Sequence, residues 1–310
     1  MGQQLFSVNS LGGFLNNDEL SRQIRHAAQT VQRFRQFTDM EPAAGTGKGS
    51  NVFFDKISNI SVAGGSLVET NTMPRNNFTI TQGTLTMEEW GNAIPYTLKA
   101  RVLSEVSVSE AIRTVLRNDM AKVLDSAAAV QFQSGDYIAS IVNTATTSFN
   151  SASSAPDAQG ADMSDKNFRD IVDEMKTRNF PRYDGQNYVC IASTKSVRGL
   201  YDFFEAKAQN TTMEPLFRGE IGQYYGCRVV EETNFLSNAT GTNSLHGEAI
   251  FFGADAVREG VAIPEEIRID IPKDFGRDQS IAWYGLLGFQ RVWDFGDDGE
   301  SRIIRTAHSV

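Results

Sequence analysis

Cysteine and histidine are scarce in this chain of 310 residues: two Cys, at 190 and 227, and three His, at 26, 246 and 308. No spacing among the five matches a metal-ligand pattern, so no zinc site is read, and two cysteines make no disulfide framework. Both Cys lie in apolar, strand-like contexts, "YVCIAS" and "GCRVVE". They read as small buried hydrophobes, and whether they pair stays open. Long apolar runs are also missing. None reaches the roughly 18 residues of a membrane-crossing helix. "MGQQLFSVNSLGG" has neither a basic start nor a long apolar stretch, so no secretory signal is read. Positive charge is in deficit, with 29 Lys and Arg against 38 Asp and Glu, a net charge of −9. So acidic a chain repels free nucleic acid and leaves room only for a local basic patch.

Signatures of chemistry are absent too. "AAGTGKGS" (43–50) resembles a phosphate cradle, but Pro42 stands where the first glycine belongs and Gly49 replaces the hydroxyl residue after Lys48. The residues after it, "NVFFDKI", are strand-like, whereas a nucleotide-binding loop opens a helix. "DFG" occurs at 274–276 and 294–296 without the other loops of a kinase, and "DFGDDGES" (294–301) reads as a hairpin turn. No G-x-S-x-G elbow occurs. The acid pairs Glu88-Glu89, Glu231-Glu232 and Glu265-Glu266 are adjacent residues, which face opposite sides of a strand. No catalytic residue, cofactor-binding residue, cofactor or metal ligand is assigned, and the chain is not expected to be an enzyme.

Elongated architecture, by contrast, is well represented. An arm (1–16) precedes a helix over about 17–37, with Leu20, Ile24, Ala27, Val31 and Phe34 on one stripe and Arg22, Arg25 and Arg33 on another. Those three arginines are candidates to face DNA or an acidic neighbour. Pro42 and the small residues around Gly45, Gly47 and Gly49 form a joint, the three glycines being hinge candidates. "NNFTITQGTLTMEEWG" alternates in period two, with Gly83 read as a bulge or turn. This half-apolar hairpin, about 66–90, has little core of its own. Phe78, Ile80, Leu85, Met87 and Trp90 are therefore candidates for contact with another subunit. "SVSEAIRTVLRNDMAKVLDSAAAVQFQ" (107–133) predicts one very long helix ended by Gly135, with Ile112, Leu116, Met120, Val123, Ala127 and Val130 as its apolar stripe. Residues 143–163 read as a Ser/Ala/Thr-rich loop. A helix starts at Ser164, with Met163 and Phe168 as a hydrophobic staple and Phe168, Ile171, Val172 and Met175 as its stripe. A strand over 188–193 and a helix after it complete a small α/β unit. The end is β again, with a buried strand pair within "SIAWYGLLGFQRVWDF" and "SRIIRTA" returning beyond the turn. Two projecting arms over a modest core suit a subunit that buries its faces on other copies.

Three blocks carry a family resemblance: "SLVETNTMPRNNFTITQGTLTMEEWGNAIPYT" (66–97), "FRGEIGQYYGCRVVEETNFLSN" (217–238) and "KDFGRDQSIAWYGLLGFQRVWDFGDDGESRIIR" (273–305). They resemble segments of tailed-bacteriophage major capsid proteins, most closely the branch typified by coliphage N-four. The resemblance implies an α+β, HK97-like capsid fold. Its parts would be an N-terminal arm (1–45), an extended β-hairpin loop (46–98), a peripheral domain with a long spine helix (99–163 and 263–310) and an α/β axial domain (164–262). It implies a structural subunit that self-assembles, as hexamers and pentamers, into an icosahedral shell around double-stranded DNA, touching the DNA weakly and non-specifically. Scaffold, portal and decoration proteins are its implied partners, with no membrane. The implied location is the virion capsid, assembled in the cytoplasm of a bacterial host. Some relatives cross-link neighbours through a Lys, but no motif carries that chemistry to Lys48, Lys56 or Lys99. The competing expectations are an encapsulin-like nanocompartment shell and a phage tail or decoration protein.

Overall fold

The computed structural model describes residues 30, 32–42, 49–58, 60, 64–67, 69, 72–73, 75–104, 107–151, 159–201, 222–240, 244–272, 274–295 and 300–306. Along the chain run β1 (Asp39–Pro42), β2 (Asn51–Ile57), β3 (Ile80–Thr86), β4 (Glu88–Thr97), α1 (Leu98–Leu103) and α2 (Val108–Gln133). Then come β5 (Tyr137–Asn143), β6 (Thr146–Ser151), α3 (Asp165–Thr177), β7 (Tyr188–Ser193), β8 (Gln223–Tyr224), β9 (Cys227–Glu232) and β10 (Ala249–Phe252). Last are β11 (Val257–Ile269), β12 (Asp278–Arg291) and β13 (Ile303–Thr306). The chain divides into two units. The smaller takes Glu89–Val123 and Ile263–Leu286, and the larger takes Thr30–Glu88, Leu124–Ala262 and Leu287–Val310.

The larger unit is built on a seven-stranded sheet in the order β6-β5-β13-β10-β7-β9-β8. All six residues of β7 are buried, as a continuous apolar run between a parallel neighbour, β9, and an antiparallel one, β10, requires. Alternation sends Tyr188, Cys190 and Ala192 to one face, where α3 lies. Ser164 caps that helix, accepting from the Asn167 N–H while the Asn167 side chain accepts from the Ser164 N–H. Met163, Phe168, Ile171, Val172 and Met175 are fully buried against the sheet, which is the start and the stripe expected for this helix.

The opposite face of the sheet is covered by the end of α2 and by residues 32–38. Phe132 lies 4.7 Å from the Phe252 ring, Phe37 5.5 Å from it, and Phe34 5.6 Å from Phe132. Polar bonds fix the same segment. The Arg35 guanidinium donates through Nε and Nη2 to Glu259 at 3.0 and 2.8 Å, and Thr38 donates to the other oxygen of Glu259 at 2.8 Å. The Arg35 N–H donates to Asp125 at 3.1 Å. Burial pushes the Asp125 carboxyl upward, against the backbone N–H groups that favour its charge. Residues 17–29 of the expected helix lie outside the described residues. The described remainder has only a 3-10 turn, at Arg35–Phe37, because Phe34 and Phe37 are claimed by the core instead of by a helical stripe.

α2 is the long helix expected, 26 residues and thus about 39 Å. Its buried stripe differs from the expected one. Ile112, Leu116, Leu124, Ala128 and Phe132 are buried, whereas Val130 is 49% exposed. Each step of four advances about 40° round a 3.6-residue helix. The buried face therefore turns along the length instead of holding one stripe.

Four further expectations are corrected. Gly83 is no turn: β3 runs straight through it and pairs with β2 in unbroken register, Phe54 opposite Gly83 and Ile57 opposite Ile80. A side chain at Gly83 would collide with the Phe54 ring, so the glycine makes room for an aromatic across the ladder. Within the loop expected over 143–163, residues 146–151 form an edge strand, β6, paired with β5 after a tight turn. The expected strand pair is the single 14-residue strand β12. Its Gly288 meets the Thr86 carbonyl of a neighbouring strand, so close approach and not a turn requires it. β13 does not return along β12. It joins the seven-stranded sheet, parallel to β5 and antiparallel to β10, so β12 and β13 do not pair as the expected hairpin requires. Residues 137–151 and 303–306 thereby share a sheet with β7, β9 and β10.

In the other main sheet the order is β1-β11-β12-β4. Within the smaller unit, Trp283 is buried and its Nε1–H donates to Asp119 on α2 at 2.9 Å, while Asn92 of β4 donates to the same oxygen at 2.9 Å.

Candidate functional site

Among the described residues no group of three or more His, Cys, Asp or Glu could hold a metal ion. Cys190 and Cys227 are both buried and unpaired, and burial pushes both thiols well up. His246 keeps its Nδ1 at 3.2 Å from Asp162. A cavity of about 520 Å³ opens in the larger unit between Arg33, Gln36, Tyr201, Arg228 and Glu231. No described helix is long and apolar enough to cross a membrane.

The unusual chemistry is apolar and on the surface. In an antiparallel ribbon, directly opposed residues share a face. The β2–β3 register therefore puts Val52, Phe54 and Leu85 on one side, and Phe53, Ile57 and Ile80 on the other. The first side packs against buried Val292 with Met87 and Trp293, and Lys56 follows it inward, its Nζ 3.6 Å from Asp294. The second side is bare: Phe53, Ile57 and Ile80 are 58%, 61% and 57% exposed. Phe78, Met73, Leu67 and Ile60, in the connection between the two strands, are exposed as well.

Of the contact candidates read from sequence, Phe78 and Ile80 are thus free to meet another chain. Leu85 is not, because it is spent in its own core. Met87 and Trp90 are half-buried. Sequence reading missed Phe53 and Ile57. Alternation along "NVFFDKI" held the signal, but only the partner strand tells which parity faces out. Of the hinge candidates, Gly45 and Gly47 lie outside the described residues. Gly49 has φ +81° in open space, a left-handed conformation that favours glycine. Arg22 and Arg25 also lie outside the described residues, and Arg33 is exposed at the cavity rim.

A second apolar surface belongs to the smaller unit. α1 has six residues and buries none of them, with Val102 and Leu103 each about 70% exposed. Helices this short are not stable alone in water. Its first N–H, on Leu98, donates to the Arg277 carbonyl at 2.9 Å, which sets α1 beside the turn between β11 and β12. That turn exposes Ile271 and all of Phe275. Asp274 and Phe275 hold φ of +48° and +54°, left-handed conformations that cost non-glycine residues about 1–2 kcal/mol each. Scattered surface hydrophobes are ordinary; here they are grouped into two clusters, one in each unit.

Comparison with known proteins finds no matching family model and no matching curated protein. Solved structures do match over nearly the whole chain. The head structure of Helicobacter pylori bacteriophage KHP40 aligns at TM-score 0.69 and 13% identity, over 99% of this chain and 98% of that one. The acid-stable capsid structure of Helicobacter pylori bacteriophage KHP30 aligns at 0.68 and 13%, over all of both chains. The capsid of cyanophage P-SCSP1u aligns at 0.68 and 10%, over 95% and 94%. The chain shares the α+β, HK97-like fold of these structures.

Proposed function

We propose that this chain is the major structural subunit of a tailed-phage head, a self-assembling protein and not an enzyme. The carrying observation is the end-to-end match to phage head and capsid chains, 94% or more of both partners in each of the three alignments. The bare face of the β2–β3 ribbon supports it, since a two-stranded ribbon is marginal in water unless something covers it. In this reading 1–45 is the N-terminal arm and 46–98 the extended loop, whose exposed side (Phe53, Ile57, Phe78 and Ile80) lies on an adjacent subunit. The spine helix is α2, and the α3–β10 region is the axial part of hexamers and pentamers. One sequence then closes a shell by repeating each contact under symmetry. The narrower placement beside the coliphage N-four branch rests on the sequence blocks alone; the matched structures do not support it. The virion shell as its location, assembly in the host cytoplasm, and scaffold, portal and decoration partners belong to the same proposal. An encapsulin-like compartment would share the fold and enclose a protein cargo instead of DNA.

Negative-stain microscopy of the expressed full-length chain, alone and with its scaffold, tests the reading: closed shells are expected. Ile80→Asp with Phe53→Asp should leave the free subunit folded, because both side chains are already in water, and should abolish closed particles. Monomers only from the wild-type chain under both conditions would overturn the proposal.

A further inference from the structure

An outward strip near the start of α2 has no explanation within the chain. Arg113 and Arg117 are both exposed, one helical turn apart, and neither has a hydrogen-bond or ion-pair partner among the described residues. Like charges at i and i+4 destabilise a helix. Eight other described arginines are treated differently: Arg35, Arg169, Arg178, Arg258, Arg268, Arg277, Arg291 and Arg302 each sit on a carboxylate. Arg101, in the same unit, meets only the neutral amide of Gln279, at 3.2 Å. Residues 98–118 hold four cations (Lys99, Arg101, Arg113 and Arg117) against Glu105 and Glu110, inside a chain of net charge −9. The balance is locally positive across α1 and the start of α2, with Asp119 the next acid along, and the Arg113–Arg117 pair itself lies on the 26-residue α2.

We propose that Arg113 and Arg117 form a ridge that binds the phosphodiester backbone of duplex DNA, an inference that rests on the shell reading. Side chains at i and i+4 have Cβ atoms about 6 Å apart, comparable to the separation of neighbouring phosphates along one strand. Guanidinium groups pair with phosphate oxygens in a bidentate fashion. Contacts of this kind position DNA without reading its sequence. Two cations on an otherwise acidic chain hold DNA weakly, as a wall that must later release it requires.

The test is fluorescence anisotropy of a labelled duplex with full-length subunits between 50 and 200 mM NaCl, with micrographs of the same preparations. Neutralising two phosphates contributes a slope of about −1.8 to log K against log salt, roughly a tenfold loss of affinity over that range. R113A/R117A should remove that slope component and weaken binding about tenfold at 50 mM, while R113K/R117K keeps the slope and all three proteins form closed shells. An unchanged slope in R113A/R117A, or no binding by the wild type at 50 mM, overturns the ridge. So does loss of shells in R113A/R117A with DNA binding intact, which would mean that the pair faces an acidic surface on a neighbouring copy. If no variant forms shells yet the slope falls as stated, the ridge stands and the shell reading fails.

Discussion

Phe34→Ala asks whether residues 32–38 belong to the core of the larger unit or merely rest on it. The Phe34 ring is fully buried, 5.6 Å from Phe132 and edge-on to Phe235 at 6.3 Å. A buried phenyl side chain removes about 150–250 Å² from water, worth about 4–6 kcal/mol at 25 cal/mol per Å². Alanine keeps part of that, and Phe→Ala changes in cores cost about 3–5 kcal/mol. The segment could escape the cavity by detaching, but it would then also forfeit the Phe37 packing and the Arg35–Glu259 pair, a larger loss. The cavity cost should therefore appear in full, as a loss of about 3–5 kcal/mol in urea unfolding of the free subunit followed by circular dichroism. Combining Phe34→Ala with Phe132→Ala should reveal a coupling of about 0.5–1.5 kcal/mol. A loss below about 1 kcal/mol, no larger than that of exposed Arg33→Ala, would refute the assignment of this segment to the core.

Three other outcomes are expected from the same structure. Gly83→Val should destabilise the ribbon by about 1–3 kcal/mol through collision with Phe54, and most of that cost should vanish in a Phe54→Ala background; equal costs in the two backgrounds would contradict the pairing. Glu259→Gln removes the charge that both Arg35 and Thr38 address and should cost about 1.5–3 kcal/mol, with Arg35→Lys failing to reproduce the wild type because lysine's single ammonium nitrogen lacks the planar two-nitrogen fork. Asp125 and Glu232 both have carboxyls raised above their usual range by burial. A raised folded-state carboxyl penalises the fold once pH exceeds it and relieves that penalty as pH falls through it towards the unfolded value. These two groups should therefore add thermal stability to the subunit as pH falls from neutrality towards the ordinary carboxylate range, with Asp125→Asn flattening the rise. A fall over that range would show that other groups dominate.

The features that the sequence determined by itself are those that neighbouring residues decide. The helix start and staple at Ser164, the stripe of α3, the length of α2 and the buried run of β7 depend on contacts within a few turns or one strand, and all were legible. Tertiary structure alone decided partners and parity. β13 pairs Ile304 with Tyr137, far back along the chain, and nothing local to "SRIIRTA" could select that strand over the adjacent β12. The same holds for the ribbon. Period two announced strands, but only the β2–β3 register, with Gly83 held open for the Phe54 ring, turns Leu85 into its own core and leaves Ile80 outside. The physical reason is that alternation defines two faces without labelling them; the label comes from whatever the rest of the fold, or another copy, brings to cover one of them.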